Sequence, residues 1–112
     1  MQSRQATRTG GFFYVLERTR ESSRTLKQLK YLLGVVDNGL NITSAADRLY
    51  TSQPGISKQL KQLEREIGVT IFSRKGKSLV ALTPAGQTIV QLARKISRDV
   101  ENIRSLGKEL TA

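Results

Sequence analysis

Three polar side chains stand four residues apart near the middle of the chain: Gln53, Ser57 and Lys61. This spacing places side chains on one face of a helix. A glutamine carboxamide offers a donor and an acceptor, which suits the major-groove edge of adenine or a phosphate, and a serine hydroxyl can bond either kind of group. The ammonium groups of Lys61 and neighbouring Lys58 can reach phosphates. This polar helix face predicts contact with a nucleic acid. The alternative, for any one of these residues, is that it simply lies on a solvated helix surface.

Other polar residues flank this face. Ser52 is predicted to cap the helix, and Pro54 lies in its first turn, where a proline sacrifices no hydrogen bond. The free N–H groups of that turn favour a phosphate. Thr43 and Ser44, at the start of the preceding segment, can bind the neighbouring phosphate backbone.

A helix-turn-helix is the element that would present these residues. Asn41 is a good N-cap for a short helix, Tyr50 and Thr51 form the turn, and Gly68 ends the second helix as a C′ glycine. An earlier helix from Thr25 is predicted to bury Leu26, Leu29, Leu33 and Val36. The inward stripes of the next two helices are Ile42, Ala45, Ala46 and Leu49, then Ile56, Leu60, Leu63 and Ile67. Small residues such as the paired alanines allow two helices to cross closely.

A basic hairpin is predicted next, because the β-rich runs 69–74 and 78–82 surround Lys75-Gly76-Lys77. After a helix-turn-helix such a hairpin is a wing, whose cations could straddle a backbone or enter a minor groove. The predicted DNA-contacting residues are Thr43, Ser44, Ser52, Gln53, Pro54, Ser57, Lys58, Lys61, Arg74, Lys75 and Lys77.

A long helix should follow, capped by Thr83 and opening at Pro84. An apolar stripe runs along it at alternating four- and three-residue steps, which is the pattern of a helix-pairing seam. Because the earlier helices already cover one another, the stripe predicts a homodimer; the alternative is that the helix packs back on its own domain. The predicted dimerisation residues are Ile89, Ala93, Ile96, Val100 and Ile103.

Composition narrows the function classes. The 112 residues contain 19 Lys and Arg against 9 Asp and Glu, a net charge of +10, which favours a polyanionic partner such as nucleic acid or an anionic membrane surface. Cys and His are absent, and the acids form no convincing catalytic pair. We therefore expect no enzyme, no cofactor and no metal site. The terminal helix is mixed in charge rather than basic with bulky anchors, and no run reaches transmembrane length, so we expect a cytoplasmic protein without a membrane partner.

The run from Thr25 to Gly86 resembles the N-terminal domain of LysR-type transcriptional regulators. The matching blocks are TLKQLKYLLGVVDNG, AADRL, SQPGISKQLKQLEREIG, IFSR and LTPAGQ. LYTSQPGISKQ and IFSRKGKSL look most like the cysteine-regulon, sulfur-assimilation branch. The resemblance implies a mainly α fold, namely a winged helix-turn-helix of three helices and a two-stranded wing followed by a long dimerisation linker helix. It also implies a linker helix paired antiparallel with a second subunit, and double-stranded DNA sites of interrupted dyad symmetry. The family's DNA-contacting positions carry onto Thr43, Ser44, Gln53, Pro54, Ser57, Lys58 and Arg74.

Three segments are expected: a basic and flexible extension over 1–24, the DNA-binding domain over 25–83 and the linker helix over 84–112. The extension has either no function or a role as an arm that adds phosphate contacts. Family members are longer and carry an effector-binding domain, which we expect to be absent here together with its small-molecule site. A full-length form could assemble beyond a dimer. The alternative function is a winged-helix module for protein–protein interaction whose basic charge is incidental.

Overall fold

The computed structural model describes residues 19–111, with the side chains of residues 24–111. Its elements are α1 (Thr19–Asp37), α2 (Ile42–Arg48), α3 (Gln53–Ile67), β1 (Phe72–Lys75), β2 (Ser78–Leu82) and α4 (Pro84–Thr111). This order confirms the predicted winged helix-turn-helix with a long terminal helix. Helix α1 already begins at Thr19, upstream of the predicted start at Thr25, and the rest of the predicted extension lies outside the described residues.

The ends of the central helices are set by local capping. The side chain of Asn41 accepts a hydrogen bond from the Ser44 N–H at 2.9 Å, and Ser52 Oγ accepts one from the Gly55 N–H at 3.0 Å. Each satisfies a backbone donor that the first turn of a helix leaves without a partner. Gly68 ends α3 in the left-handed conformation, with φ 74°. All three predicted caps are confirmed.

The core lies where α1, α2, α3, β1 and the start of α4 meet. Its fully buried side chains include Leu32, Ile56, Leu60, Leu63 and Phe72. Ala45 and Ala46 are buried in α2, as predicted.

The buried face of α1 differs from the predicted stripe. Gln28, Leu32 and Val35 are fully buried, whereas Leu26 is 51% exposed. The predicted Leu29, Leu33 and Val36 only border the core. The real face is displaced by one residue, about 100° around the helix. Gln28 Nε2 donates to Gln59 Oε1 of α3 at 3.2 Å, whereas the buried Gln28 Oε1 has no hydrogen-bond partner among the described residues. A polar residue on the buried face is the reason that the apolar pattern misplaced this face.

The wing is shorter than predicted, since β1 begins at Phe72 rather than Val69. The strands pair antiparallel, with a register irregularity between Ser73 and Arg74. Gly76, the first residue of the two-residue loop, has φ 62°, a conformation that glycine adopts without a steric penalty.

Helix α4 is anchored against the entry to the wing. Thr83 Oγ1 accepts a hydrogen bond from the Gly86 N–H at 2.9 Å, and the Thr83 N–H donates to the Ile71 carbonyl at 2.9 Å. Gly86 is buried, and a Cβ atom added there would clash with the Ile71 carbonyl oxygen. Only glycine therefore lets α4 approach this closely.

The apolar stripe of α4 is divided between two environments. Ala93 is 2% exposed within the core of its own domain, and Ile89 packs against that core. Ala93 is therefore buried by its own domain and is not available to a partner as predicted. Ile89 is only partly buried, and its contact with a partner stays a prediction. Further along, Ile96 is 39% and Ile103 69% exposed, while Val100 is partly buried. Among residues 19–111, no helix is long and apolar enough to cross a membrane.

Candidate nucleic-acid interface

The outer face of α3 carries the polar residues that its sequence spacing predicts. Gln53, Lys58 and Lys61 are exposed, and Ser57 is half-buried. They lie on a different face from Ile56, Leu60 and Leu63, which hold α3 in the core. Ile67 at the end of the helix is 45% exposed, so the prediction that it belongs to the inward stripe is wrong. Pro54 is also exposed, in the first turn, where its missing N–H leaves no gap in the helix.

The start of α2 is tied to the start of α3 by a side-chain hydrogen bond. Thr43 Oγ1 donates to Gln53 Oε1 at 3.2 Å. Ala45 and Ala46 of α2 are buried in the core, where they take up little volume. The sequence predicted both residues as DNA contacts but gave no sign that they touch each other.

Two of the predicted contacts also shape the helix ends. Ser52 is exposed and its hydroxyl oxygen caps α3, which leaves the hydroxyl hydrogen available to another acceptor. Ser44 is half-buried, and its backbone N–H is taken by Asn41. Its hydroxyl is the group that would have to reach a phosphate.

Tyr50, in the turn between α2 and α3, combines a left-handed backbone with an almost fully exposed side chain. Its φ is 54° and its side chain is 96% exposed. A left-handed backbone is costly for a residue with a Cβ atom, which is why glycine is common in such turns. The sequence marks Tyr50 as a turn residue but not as a strained one.

The wing divides the three predicted cations into two kinds. Lys75 and Lys77 are exposed beside the loop. Arg74 instead forms an ion pair in which its Nη2 lies 2.7 Å from Glu64 Oε1, with side chains 25% and 14% exposed respectively. A guanidinium has five N–H donors, so this pair still leaves donors for a phosphate.

Glu64 is a residue of this region that the sequence did not single out. Its Oε2 accepts hydrogen bonds from the N–H groups of Ile71 at 2.8 Å and Phe72 at 3.3 Å, while its Oε1 receives Arg74. One carboxylate on α3 therefore holds both the entry and the middle of β1. No spacing rule indicates this, because the partners come from a different element.

The ion pairs of the described residues involve arginines, and the lysines of α3 and the wing are left to bind other groups. The ion pairs between described residues are Arg24–Glu66, Arg74–Glu64, Arg94–Asp37 and Arg104–Glu101. Within residues 24–111, no ion pair involves Lys58, Lys61, Lys75 or Lys77. These lysines provide an exposed positive field on α3 and the wing.

Residues 26–87 match the family described as "Bacterial regulatory helix-turn-helix protein, lysR family". The chain belongs to this family. It is 46% identical over 86 residues to the HTH-type transcriptional regulator CysB of Haemophilus influenzae, and 43% identical over 83 residues to the HTH-type transcriptional regulator SsuR of Burkholderia cenocepacia. These alignments cover 77% and 74% of this chain but 27% of each regulator. The chain thus spans about a quarter of the length of these relatives, and the predicted resemblance to the cysteine-regulon branch is confirmed.

A solved structure shares the fold. The chain is similar to BenM DBD in its crystal complex with catB site 1 DNA, with a TM-score of 0.71 and 32% sequence identity. The match covers 78% of this chain and 96% of that one. The similarity therefore extends over the winged helix-turn-helix as one unit.

Proposed function

We propose that this chain is the DNA-binding part of a LysR-type transcription regulator and binds double-stranded DNA sequence-specifically. The observation that carries the proposal is the polar face of α3, where Gln53 and Lys61 are exposed and Ser57 is half-buried, on a different face from the buried apolar residues of the helix. A helix with this division fits a major groove. The similarity to a domain whose crystal structure is a DNA complex supports the same function.

Each group has a role in this proposal. Gln53 and Ser57 meet base edges, with Pro54 beside them, while Lys58 and Lys61 bind phosphates. The remaining backbone contacts come from Thr43, Ser44 and Ser52 near the helix starts, and from Arg74, Lys75 and Lys77 in the wing.

The second half of α4 supports a homodimer. Ile103, Leu106 and Leu110 are 69%, 54% and 78% exposed on one helix. A row of such side chains is stabilised by a second apolar helix at roughly 25 cal/mol per Å² of area buried. The seam begins near Ile96 rather than Ile89, and two copies would present two α3 helices to a DNA site with interrupted dyad symmetry.

The biological setting follows from the relatives. Similarity to CysB and SsuR favours genes of sulfur or cysteine metabolism as targets. The proposed role is non-enzymatic and cytoplasmic.

The test is selection of duplexes from a random pool by the 112-residue chain, followed by footprinting and a salt titration. We expect paired, symmetry-related footprints and a binding constant that falls steeply with salt, by about 0.9 log units per log unit of salt for each phosphate contact. Salt-independent binding, or a pool that never enriches, would contradict the proposal and favour the protein-interaction module instead.

A further inference from the structure

Between α2 and α3, the hydroxyl of Thr43 contacts Gln53, a residue proposed to read bases. Thr43 Oγ1 donates to Gln53 Oε1 at 3.2 Å. The cap of α2 is supplied separately by Asn41, which accepts from the Ser44 N–H, so the Thr43 hydroxyl is not needed to satisfy the helix end. The hydroxyl has a single hydrogen, so while it donates to Gln53 a phosphate contact by Thr43 would have to use its backbone N–H.

The orientation of a carboxamide decides what it can recognise. One end carries two N–H donors and the other only acceptor lone pairs, and a half-turn about the last side-chain torsion exchanges them. That torsion has broad, roughly two-fold minima, so an unrestrained glutamine can present either end to a base. In the structure Thr43 donates to Oε1, so the Nε2 group points away from the hydroxyl. The flipped carboxamide would need the hydroxyl to turn and accept from Nε2 instead, so the hydrogen bond favours the first orientation wherever the hydroxyl is held as a donor.

We propose that Thr43 is a positioning residue that fixes the direction of the Gln53 carboxamide and thereby sets base specificity at the position Gln53 reads. This proposal rests on the proposed function. With Oε1 held by Thr43, Gln53 presents its N–H donors to the acceptors of a purine edge, N7 or the O6 of guanine.

The experiment compares Thr43→Val with Thr43→Ser in the full 112-residue chain. Valine keeps the branched shape without the hydroxyl, and serine keeps the hydroxyl without the methyl group. The probes are a duplex selected from the random pool, its variants with one base pair changed in each half-site, and a scrambled duplex. Thr43→Val should reduce discrimination at one base position per half-site by about 2- to 10-fold, the effect of one neutral hydrogen bond. Thr43→Ser should restore it.

Two further measurements separate positioning from direct contact. In a Gln53→Ala background, Thr43→Val should cause no further loss of discrimination at that position. In the free protein, Thr43→Val should shift the Gln53 side-chain amide resonances in a ¹⁵N NMR spectrum, and Thr43→Ser should shift them much less.

Three results would overturn the proposal. Unmoved Gln53 amide resonances in Thr43→Val would show that the hydrogen bond does not form in solution. Equal weakening of the selected, substituted and scrambled duplexes would make Thr43 a phosphate contact only. Failure of the unmutated chain to discriminate between duplexes is a separate result, since it refutes the proposed function itself.

Discussion

The ion pair between α3 and the wing should contribute measurably to folding. Replacing Arg74 with alanine leaves Glu64 Oε1 without its partner at 2.7 Å, in a carboxylate whose side chain is only 14% exposed. A surface pair contributes about 0–1 kcal/mol, and breaking a fully buried one costs about 3–5 kcal/mol. The cost of breaking the Arg74–Glu64 pair should lie between these two values, because Glu64 Oε2 keeps its hydrogen bonds from the N–H groups of Ile71 and Phe72. We expect the free energy of unfolding to fall by about 1–3 kcal/mol.

Glu64→Ala should cost more than Arg74→Ala, because it also removes the acceptor for two backbone N–H groups at the start of β1. The double variant should cost less than the sum of the single variants, with a coupling free energy of about 1–2 kcal/mol. Urea unfolding followed by far-UV circular dichroism, at one fixed protein concentration, measures all three. Arg104→Ala is the matched control, since its pair with Glu101 spans 3.5 Å between side chains 71% and 67% exposed, and it should change stability little.

Equal destabilisation by Arg74→Ala and Arg104→Ala, or a coupling free energy of zero, would refute a structural role for the pair. A DNA titration adds the functional half of the prediction. If Arg74 also binds DNA, the salt slope of Arg74→Ala should be smaller by about 0.9 for each phosphate that the guanidinium neutralises. Reduced stability with an unchanged slope would assign Arg74 to holding the wing and not to DNA.

Three further predictions concern packing, association and strain. Gly86→Ala should lower the free energy of unfolding by about 1–3 kcal/mol or more, because the added Cβ atom meets a backbone oxygen. Gly107→Ala is the control: its Cβ atom has nothing within 4 Å, and the variant should raise the free energy of unfolding by up to about 1 kcal/mol. Thermal melts measure both. Ile103→Asp should weaken the dimer at least about 100-fold, since burial of each isoleucine contributes about 1.5–3 kcal/mol. Sedimentation equilibrium measures this, and the circular dichroism spectrum should not change. If the unmutated chain is a monomer at micromolar concentration, the proposed dimer seam is refuted. Tyr50→Asn should stabilise the fold by about 0.5–1 kcal/mol in urea, because asparagine tolerates a left-handed backbone, and a loss of stability would show that the ring makes a contact.

The sequence alone determined the features that depend on a few neighbouring residues. Asn41, Ser52 and Gly68 end or begin helices through bonds that span three or four positions, so their residue types were sufficient to locate α2 and α3. The outward position of Gln53 and Ser57 followed from the burial period of the same helix. The order of the elements followed from the same local signals, and the family resemblance supplied the expectation of how they assemble into a winged helix-turn-helix.

Contacts between side chains of different elements could be known only from the three-dimensional fold. The buried face of α1 includes Gln28, whose Nε2 donates to Gln59 of another helix, a partner that the sequence of α1 does not reveal. Ala93 lies in the core of its own domain, and the buried Gly86 allows the start of α4 to approach the backbone of Ile71 closely. Arg74 of the wing is paired with Glu64 of α3. The free energy of such a contact depends on partners from another element, and residue periodicity carries no information about them.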